Sequence, residues 1–133
     1  MLNRQAKPGK GGQVPHTERM KIYLAELGEK ADSSVQGGTR PVIVLQNNAG
    51  NRSSPTVIVA SITSKLEKPH LPTHVVLGQS NLPKQSMVLL EQVQTVNKED
   101  LKDYIGTVDD EQLIRRINTM LKKTFGLWFY KKE

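Results

Sequence analysis

Short apolar blocks separated by polar segments characterise this chain, and most of the blocks are shorter than a typical helix. Two of them, residues 42–45 and 57–60, are continuous and dominated by β-branched side chains. This composition is typical of strands that are covered on both faces. Pro41 and Pro55 stand at their entrances, where a missing backbone donor costs least. The pattern therefore predicts two buried strands with an Asn- and Ser-rich connection between them.

Further apolar blocks extend this interpretation to a small sheet. They predict strands at residues 22–25, 73–77, 87–90, 93–96 and 104–108, with 87–90 and 93–96 forming either one strand or two. Residues 28–39 form a polar loop long enough to be a lid or specificity loop.

One helix is predicted near the C-terminus. Asp109 is its expected N-cap, with Gln112 three residues later as in a capping box, and Gly126 is its expected C-cap. Between them an apolar stripe follows helical spacing: Leu113, Ile114, Ile117, Met120, Leu121 and Phe125. Three of the residues 127–130, Leu-Trp-Phe-Tyr, are aromatic, and we expect this segment to pack on the protein or on a second copy of it. The overall prediction is a mainly β fold with a C-terminal helix.

The length and composition of the chain fit a single domain. The chain has 133 residues and no cysteine, which excludes disulfides and thiolate metal sites. Residues 1–18 contain glycine, proline and basic residues with little to bury, so they predict a flexible basic tail before a domain at 19–133. No apolar run reaches membrane-helix length, and no signal peptide is recognisable, so we expect a cytoplasmic protein.

The net charge of +6 is unevenly distributed. Residues 40–84 contain Arg40, Arg52, Lys65, Lys68 and Lys84 against one acid, Glu67. This excess indicates an anionic partner near the two buried strands, although ordinary solvated surface charge explains it equally well.

Candidate chemistry lies at the ends of the two strands. Gly37 and Gly38 allow a tight turn that would hold Arg40 at the rim of the sheet, and Thr63 closes the second strand. Both side chains are therefore expected at one end of the sheet. The chain has no Walker loop, G-x-S-x-G elbow, H-E-x-x-H motif or dinucleotide fingerprint. RNA cleavage through its own 2′-hydroxyl remains open, since it needs proton transfer and positive charge at the phosphorane, which side chains can supply.

His70 and His74 have the spacing of helical metal ligands, but Pro69 and Pro72 prevent a helix there. We therefore favour a structural, hydrogen-bonded role for His74 over metal binding or acid–base work.

Four strings occur in this order: GGTRPVIVLQN, NRSSPTVIVASIT, LPTHV and LLEQVQTVNKEDL. Together they closely resemble the PemK/MazF family of toxin endoribonucleases, which is related in fold to Kid and CcdB, over about residues 19 to 125. The resemblance implies an SH3-like small β-barrel with a C-terminal helix. It also implies a homodimer and an antitoxin partner with an acidic, disordered tail, with which the protein binds DNA. The implied activity is sequence-specific, ribosome-independent cleavage of single-stranded mRNA without metal or cofactor, leaving a cyclic phosphate and a 5′-hydroxyl.

On this resemblance the catalytic residues are Arg40 and Thr63. The residues expected to contact RNA are Gln36, Gly38, Gln46, Asn47, Arg52, Ser53, Ser54, Lys65, Lys68 and His74. Two alternatives stay open at this point: a non-nuclease module of the same fold that blocks a protein target, and a degenerate member that only binds an antitoxin.

The chain departs from the family pattern at several positions. Arg19-Met20-Lys21 stands where R-G-D or R-G-E is usual, and Gln85, Gln94 and Asn97 replace residues that are commonly charged.

Overall fold

The computed structural model describes residues 17–28, 37–66, 71–78 and 82–127. Six strands and two α-helices follow in chain order: β1 (Lys21–Glu26), β2 (Thr39–Val44), α1 (Asn48–Ser53), β3 (Thr56–Thr63), β4 (His74–Val76), β5 (Met87–Asn97), β6 (Leu101–Thr107) and α2 (Glu111–Thr124). A 3₁₀ turn, Lys98–Asp100, joins β5 to β6. In the described part of the chain, no helix is long and apolar enough to cross a membrane.

The strands form a single antiparallel sheet in the order β4-β5-β3-β2-β1-β6. This confirms the predicted mainly β fold with a C-terminal helix. The word barrel is only approximate, because β4 and β6 lie at opposite edges and the described strands do not close the sheet.

Residues 87–90 and 93–96, for which the sequence left one strand or two open, belong to one strand, β5. It runs without interruption from Met87 to Asn97, but its register with β3 shifts between Ala60, which faces Val93, and Ser61, which faces Leu89. The extra residues of β5 at this point form a bulge, which bends a strand and increases its twist. One bent strand therefore replaces the two short ones that the sequence left open.

Two buried clusters lie on the two faces of the sheet, as expected from the alternation of side chains along a strand. The first core contains Ile22, Ile43, Ile62 and Val88, and α2 packs against it through Ile117, which is fully buried. The second core occupies the other face and is rich in valine: Tyr23, Ala25, Leu27, Val42, Val44, Val57, Val59, Val96 and Leu101. Both faces of β2 and β3 are thus covered, which explains their continuous apolar sequence.

Helix α1 was not predicted. Its sequence, NAGNRS, has no apolar stripe, and the helix forms because polar side chains satisfy its ends. Asn47 is the N-cap and accepts a hydrogen bond from the Gly50 amide at 2.8 Å. Asn51 is buried and donates to the backbone oxygen of Gln46 at 2.9 Å. Hydrophobic periodicity carries no information about a helix that is held in this way.

The predicted start of α2 is wrong by one residue. Asp110, and not Asp109, is the N-cap, and its carboxylate accepts from the amides of Gln112 and Leu113 at 2.8 and 3.4 Å. The C-cap is Phe125, one residue before the predicted Gly126, which follows it in a Schellman arrangement where the amides of Gly126 and Leu127 donate to the carbonyls of Lys123 and Lys122. Gly126 has a φ of +71°, which glycine adopts without strain. Of the predicted apolar stripe of α2, Ile117 lies in the first core and Leu113, Ile114, Met120 and Leu121 pack against it, but Phe125, the last member, is 56% exposed.

The segment before β1 is anchored by Arg19. Its Nε donates to the Leu45 carbonyl at 2.6 Å and its Nη2 to Asn118 Oδ1 at 2.9 Å, so one side chain joins the end of β2 to α2. Burial lowers the pKa of Arg19 from its usual value. The next residue, Met20, has a φ of +75° and a buried side chain. A side chain at this φ strains the backbone, and burial of Met20 in the first core offsets part of that cost.

Candidate active site

Arg40 and Thr63 lie at the same end of the β2–β3 pair. The ladder between these antiparallel strands pairs Val42 with Ser61. Continuing that register by two residues on each strand brings Arg40, near the start of β2, opposite Thr63, the last residue of β3. The two residues predicted to share one end of the sheet are therefore neighbours across adjacent strands.

Both residues line one cavity of about 470 Å³. Its apolar wall comes from Leu24, Pro41, Ile62, Leu82, Pro83 and Ile105, and its polar residues are Arg40, Thr63, Ser64, Lys84, Ser86, Asp103 and Tyr104. Two cationic side chains beside hydroxyl groups are suited to binding a phosphodiester. Asp103 opposes them with one negative charge, so the charged residues of the lining leave a positive excess, and the hydroxyl groups can supply hydrogen-bond donors to a phosphate.

A hydrogen bond to the loop between β1 and β2 holds the Arg40 side chain in position. Its Nε donates to the Gly37 carbonyl at 2.9 Å. Gly38 has a φ of +72°, and its amide donates to the Gly28 carbonyl at 2.6 Å. This backbone hydrogen bond closes the end of the β1–β2 loop, which carries the Gly37 carbonyl that Arg40 contacts. Nε is used for positioning, and the two terminal nitrogens of the guanidinium are the groups that can form a planar fork with phosphate oxygens.

Thr63 is 2% exposed. Its Oγ1 accepts a hydrogen bond from the Lys65 amide at 3.1 Å. Because a hydroxyl is both acceptor and donor, this contact orients the oxygen and leaves its hydrogen to donate elsewhere. A ligand in the cavity would meet an oriented hydroxyl donor.

Half of the predicted RNA contacts lie at the other end of the β2–β3 pair, in and around α1: Gln46, Asn47, Arg52, Ser53 and Ser54. At the rise of a strand, the six residue steps from Arg40 to Gln46 span roughly 20 Å. Several of these side chains form hydrogen bonds with the nearby backbone. Gln46 donates to the Thr56 carbonyl at 3.2 Å, Ser53 to the Ala49 carbonyl at 3.1 Å, and Ser54 accepts from the Thr56 amide at 3.1 Å. The structure does not bring this group to the cavity.

The remaining predicted contacts divide into three cases. Gly38 lies two residues before Arg40, and the Lys65 amide donates to Thr63 Oγ1. Gln36 and Lys68 lie outside the described residues, as do most of the predicted lid at 28–39 and the tail to residue 16. Of the aromatic ending, only Leu127 is described, and it is exposed.

His74 is the third case, because both of its ring nitrogens are engaged. Nδ1 accepts from the Leu71 amide at 3.2 Å, and Nε2 lies 2.9 Å from Glu91 Oε2. An accepting Nδ1 assigns the ring proton to Nε2, which then donates to the carboxylate. Burial alone would raise the pKa of Glu91, but the hydrogen bonds from His74 and Thr73 outweigh it and lower that pKa. The ring is part of a structural network and does not line the cavity.

His70 lies outside the described residues. Within the described ranges, no group of three or more His, Cys, Asp or Glu side chains is arranged to hold a metal ion.

Sequence reasoning missed several cavity residues. Lys84 was counted only as part of the basic excess, Tyr104 was assigned to a last strand without a role, and Asp103 was not singled out. Strand β6 begins at Leu101, three residues before the predicted start, and pairs with β1. No local motif marks Asp103 and Tyr104, since only the pairing of β6 with β1 brings them to the cavity.

Comparison with known proteins places this geometry in a family. A sequence model of the PemK-like, MazF-like toxins of type II toxin–antitoxin systems matches residues 18–125. A relative named Endoribonuclease MazF, from Staphylococcus saprophyticus subsp. saprophyticus, is 42% identical over 108 residues, covering 80% of this chain and 88% of the relative.

Solved structures agree with the sequence comparison. An endoribonuclease in complex with its cognate antitoxin, from a Mycobacterial species, superposes with a TM-score of 0.72 at 29% identity, covering 86% of this chain and 99% of that one. A second Mycobacterial endoribonuclease gives a TM-score of 0.70 at 27% identity, covering 87% of this chain and 97% of the other. With the family match extending over most of the chain and both Arg40 and Thr63 in one cavity, this protein belongs to the PemK-like, MazF-like toxins of type II toxin–antitoxin systems.

Proposed function

We propose that this endoribonuclease toxin cuts single-stranded mRNA in a sequence-specific, ribosome-independent reaction that needs no metal ion, with Arg40 and Thr63 as its catalytic residues. The observation that carries the proposal is that both side chains line one cavity, at one end of the β2–β3 pair. Neither a module that blocks a protein target nor a degenerate antitoxin binder is favoured by the family match.

The reaction uses the substrate's own nucleophile. The 2′-oxygen attacks the adjacent phosphorus and loses its proton to solvent, while the P–O5′ bond breaks and the 5′-oxygen takes a proton from solvent. The products are a cyclic phosphate and a 5′-hydroxyl. Charge accumulates on the phosphorane oxygens in the transition state, where two aligned donors from the Arg40 guanidinium and one from the Thr63 hydroxyl act most strongly.

This proposal is tested with purified protein and a long natural RNA in EDTA, followed by mapping of the cut ends. We expect cleavage that is unchanged by EDTA, at a restricted set of unpaired sequences, with cyclic phosphate and 5′-hydroxyl ends. Activity that disappeared in EDTA and returned with magnesium would refute the metal-independent mechanism.

We also propose that the protein is a homodimer. Large apolar side chains remain exposed in the single chain, among them Ile58 and Leu127, and a second copy is one partner that would cover them. Sedimentation at micromolar concentration is expected to give about twice the mass of the 14.9 kDa chain. A single species at the mass of one chain would contradict this.

A cognate antitoxin is the second proposed partner. We infer that its acidic, initially disordered tail lies across the basic segment from Arg40 to Lys84 and blocks the path of RNA, since Arg40 and Lys84 both line the cavity. Saturating antitoxin is then expected to abolish cleavage, and added salt to weaken the complex. An antitoxin that bound tightly and left the cleavage rate unchanged would exclude this mode of inhibition.

The same proposal includes a cytoplasmic location and joint binding of toxin and antitoxin to DNA. It also keeps the prediction of a single domain at residues 19–133 that follows a basic tail. Thr17 belongs to that predicted tail but is buried, so burial already occurs two residues before the predicted boundary.

A further inference from the structure

Tyr104 on β6 is an exposed aromatic residue at the edge of the catalytic cavity. It lines the same cavity as Arg40 and Thr63, yet 55% of its surface is accessible. The proposed reaction assigns no role to this ring.

The ring is held in a defined position. Its hydroxyl lies 2.6 Å from Thr107 Oγ1, and the ring makes an edge contact with Tyr23, with centroids 5.8 Å apart and planes at 62°. Tyr23 itself is 1% exposed, so this contact rests on a fixed neighbour. A rigid aromatic side chain loses little conformational freedom when a ligand stacks on it.

A cation already occupies space over the ring. The Lys21 ammonium lies 5.5 Å from the ring centroid, in the range of a cation–π contact, and 3.5 Å from Glu18 Oε1. Lysine has a flexible stem, so the ammonium can leave the ring face when a planar ligand stacks there. The site thus offers an aromatic face beside a Lys21–Glu18 ion pair.

Strand pairing gives the position of Tyr104 relative to Arg40. Tyr104 pairs with Tyr23, Tyr23 pairs with Val42, and Arg40 lies two residues from Val42 along β2. Two strand spacings and two residues correspond to roughly 12 Å between the backbone positions. This separation suits a base that neighbours the phosphate held by Arg40.

We propose that Tyr104 is a stacking platform for a nucleobase next to the scissile phosphate, so that the β6 wall of the cavity forms a base subsite. The inference rests on the proposed RNA substrate and extends it to a residue on the opposite wall of the site. Single-stranded nucleic acids are commonly bound by stacking of bases on aromatic side chains combined with positive charge along the backbone. Stacking tolerates any base, so this subsite adds affinity at one position without reading its identity.

The test uses four uncharged substitutions: Tyr104→Leu, Tyr104→Phe, Tyr104→Trp and, as the control, Phe125→Leu. Phe125 is a matched control because it is 56% exposed but lies at the end of α2 and does not line the cavity. Affinity is measured on a random-sequence 2′-O-methyl RNA pool, which cannot be cut and needs no knowledge of the cleavage site. Single-turnover cleavage of a long natural RNA is measured in parallel, and thermal unfolding and sedimentation monitor each variant.

Tyr104→Leu is expected to weaken binding about tenfold, within the range reported for loss of one stacked base. Tyr104→Phe, Tyr104→Trp and Phe125→Leu should bind like the unmodified protein. None of the variants changes charge, so the salt dependence of binding should have the same slope in all of them. Should Tyr104→Leu fold poorly, the comparison of Phe and Trp with the unmodified protein still reports whether a ring suffices.

Three results would overturn the inference: unchanged binding by Tyr104→Leu, equal losses in Tyr104→Phe and Tyr104→Leu, or a loss of binding that accompanies dissociation of a dimer. The last result would assign Tyr104 to a subunit interface. If the unmodified protein bound the pool but did not cleave natural RNA, the proposed reaction would fail while the stacking comparison remained valid.

Discussion

Arg40→Lys is expected to bind RNA almost as tightly as the unmodified protein and to cleave it at least tenfold more slowly. Lysine keeps the positive charge that attracts the phosphate backbone but lacks the planar fork of the guanidinium. Loss of one aligned transition-state donor typically costs on the order of 3 kcal/mol, which is about a hundredfold in rate. The Nε contact to Gly37 that positions the side chain is lost as well. Single-turnover cleavage and equilibrium binding, measured on the same RNA, separate the two effects.

Arg52→Lys is the matched control for this experiment. Arg52 is an exposed arginine in α1, at the far end of the β2–β3 pair from the cavity. Its replacement by lysine should leave the cleavage rate nearly unchanged. Cleavage by Arg40→Lys at close to the rate of the unmodified protein would remove Arg40 from the catalytic role proposed above.

Thr63→Val is expected to reduce the cleavage rate by about a hundredfold at unchanged RNA affinity. Valine has nearly the shape of threonine but no hydroxyl, so the change removes one donor from the transition state. It also removes the acceptor for the Lys65 amide, and because Lys65 is exposed, water can replace that acceptor. Rate and affinity are again measured under single-turnover conditions.

Thr95→Val supplies the comparison for Thr63→Val. Thr95 is exposed on β5, opposite Ile58, and does not line the cavity. We expect its replacement to leave cleavage intact. Equal losses in both variants would mean that substitution within the sheet, and not the missing hydroxyl in the cavity, slows the reaction.

Much of the fold could be predicted because it depends on patterns that are local in the chain. The β-branched runs of β2 and β3 and the stripe of α2 each follow the period of the element that they form. Arg40 and Thr63 could be assigned to one end of the sheet since Arg40 stands at the start of β2 and Thr63 at the end of β3, the next strand in the chain. Antiparallel pairing then brings such ends together.

The features that were missed depend on contacts between distant parts of the chain. Helix α1 forms through the polar contacts of Asn47 and Asn51, and the bulge in β5 is defined only by its register with β3. Lys84 and Tyr104 reach the cavity because their segments pack beside strands far away in sequence. The error at the start of α2 has a different cause, because Asp109 and Asp110 are adjacent and chemically equivalent, and only the hydrogen bonds of the folded chain distinguish them.

The central claim is that the RNA supplies its own nucleophile in a site formed by Arg40 and Thr63. The most direct measurement is single-turnover cleavage, in EDTA, of an RNA that carries one 2′-deoxy nucleotide on the 5′ side of a mapped cut site. The account predicts that this RNA binds with the affinity of the unmodified RNA and is not cut at that position, while other sites in the same molecule are cut at their usual rate. Cleavage at the deoxy position, or ends with a 5′-phosphate and a 3′-hydroxyl, would contradict it.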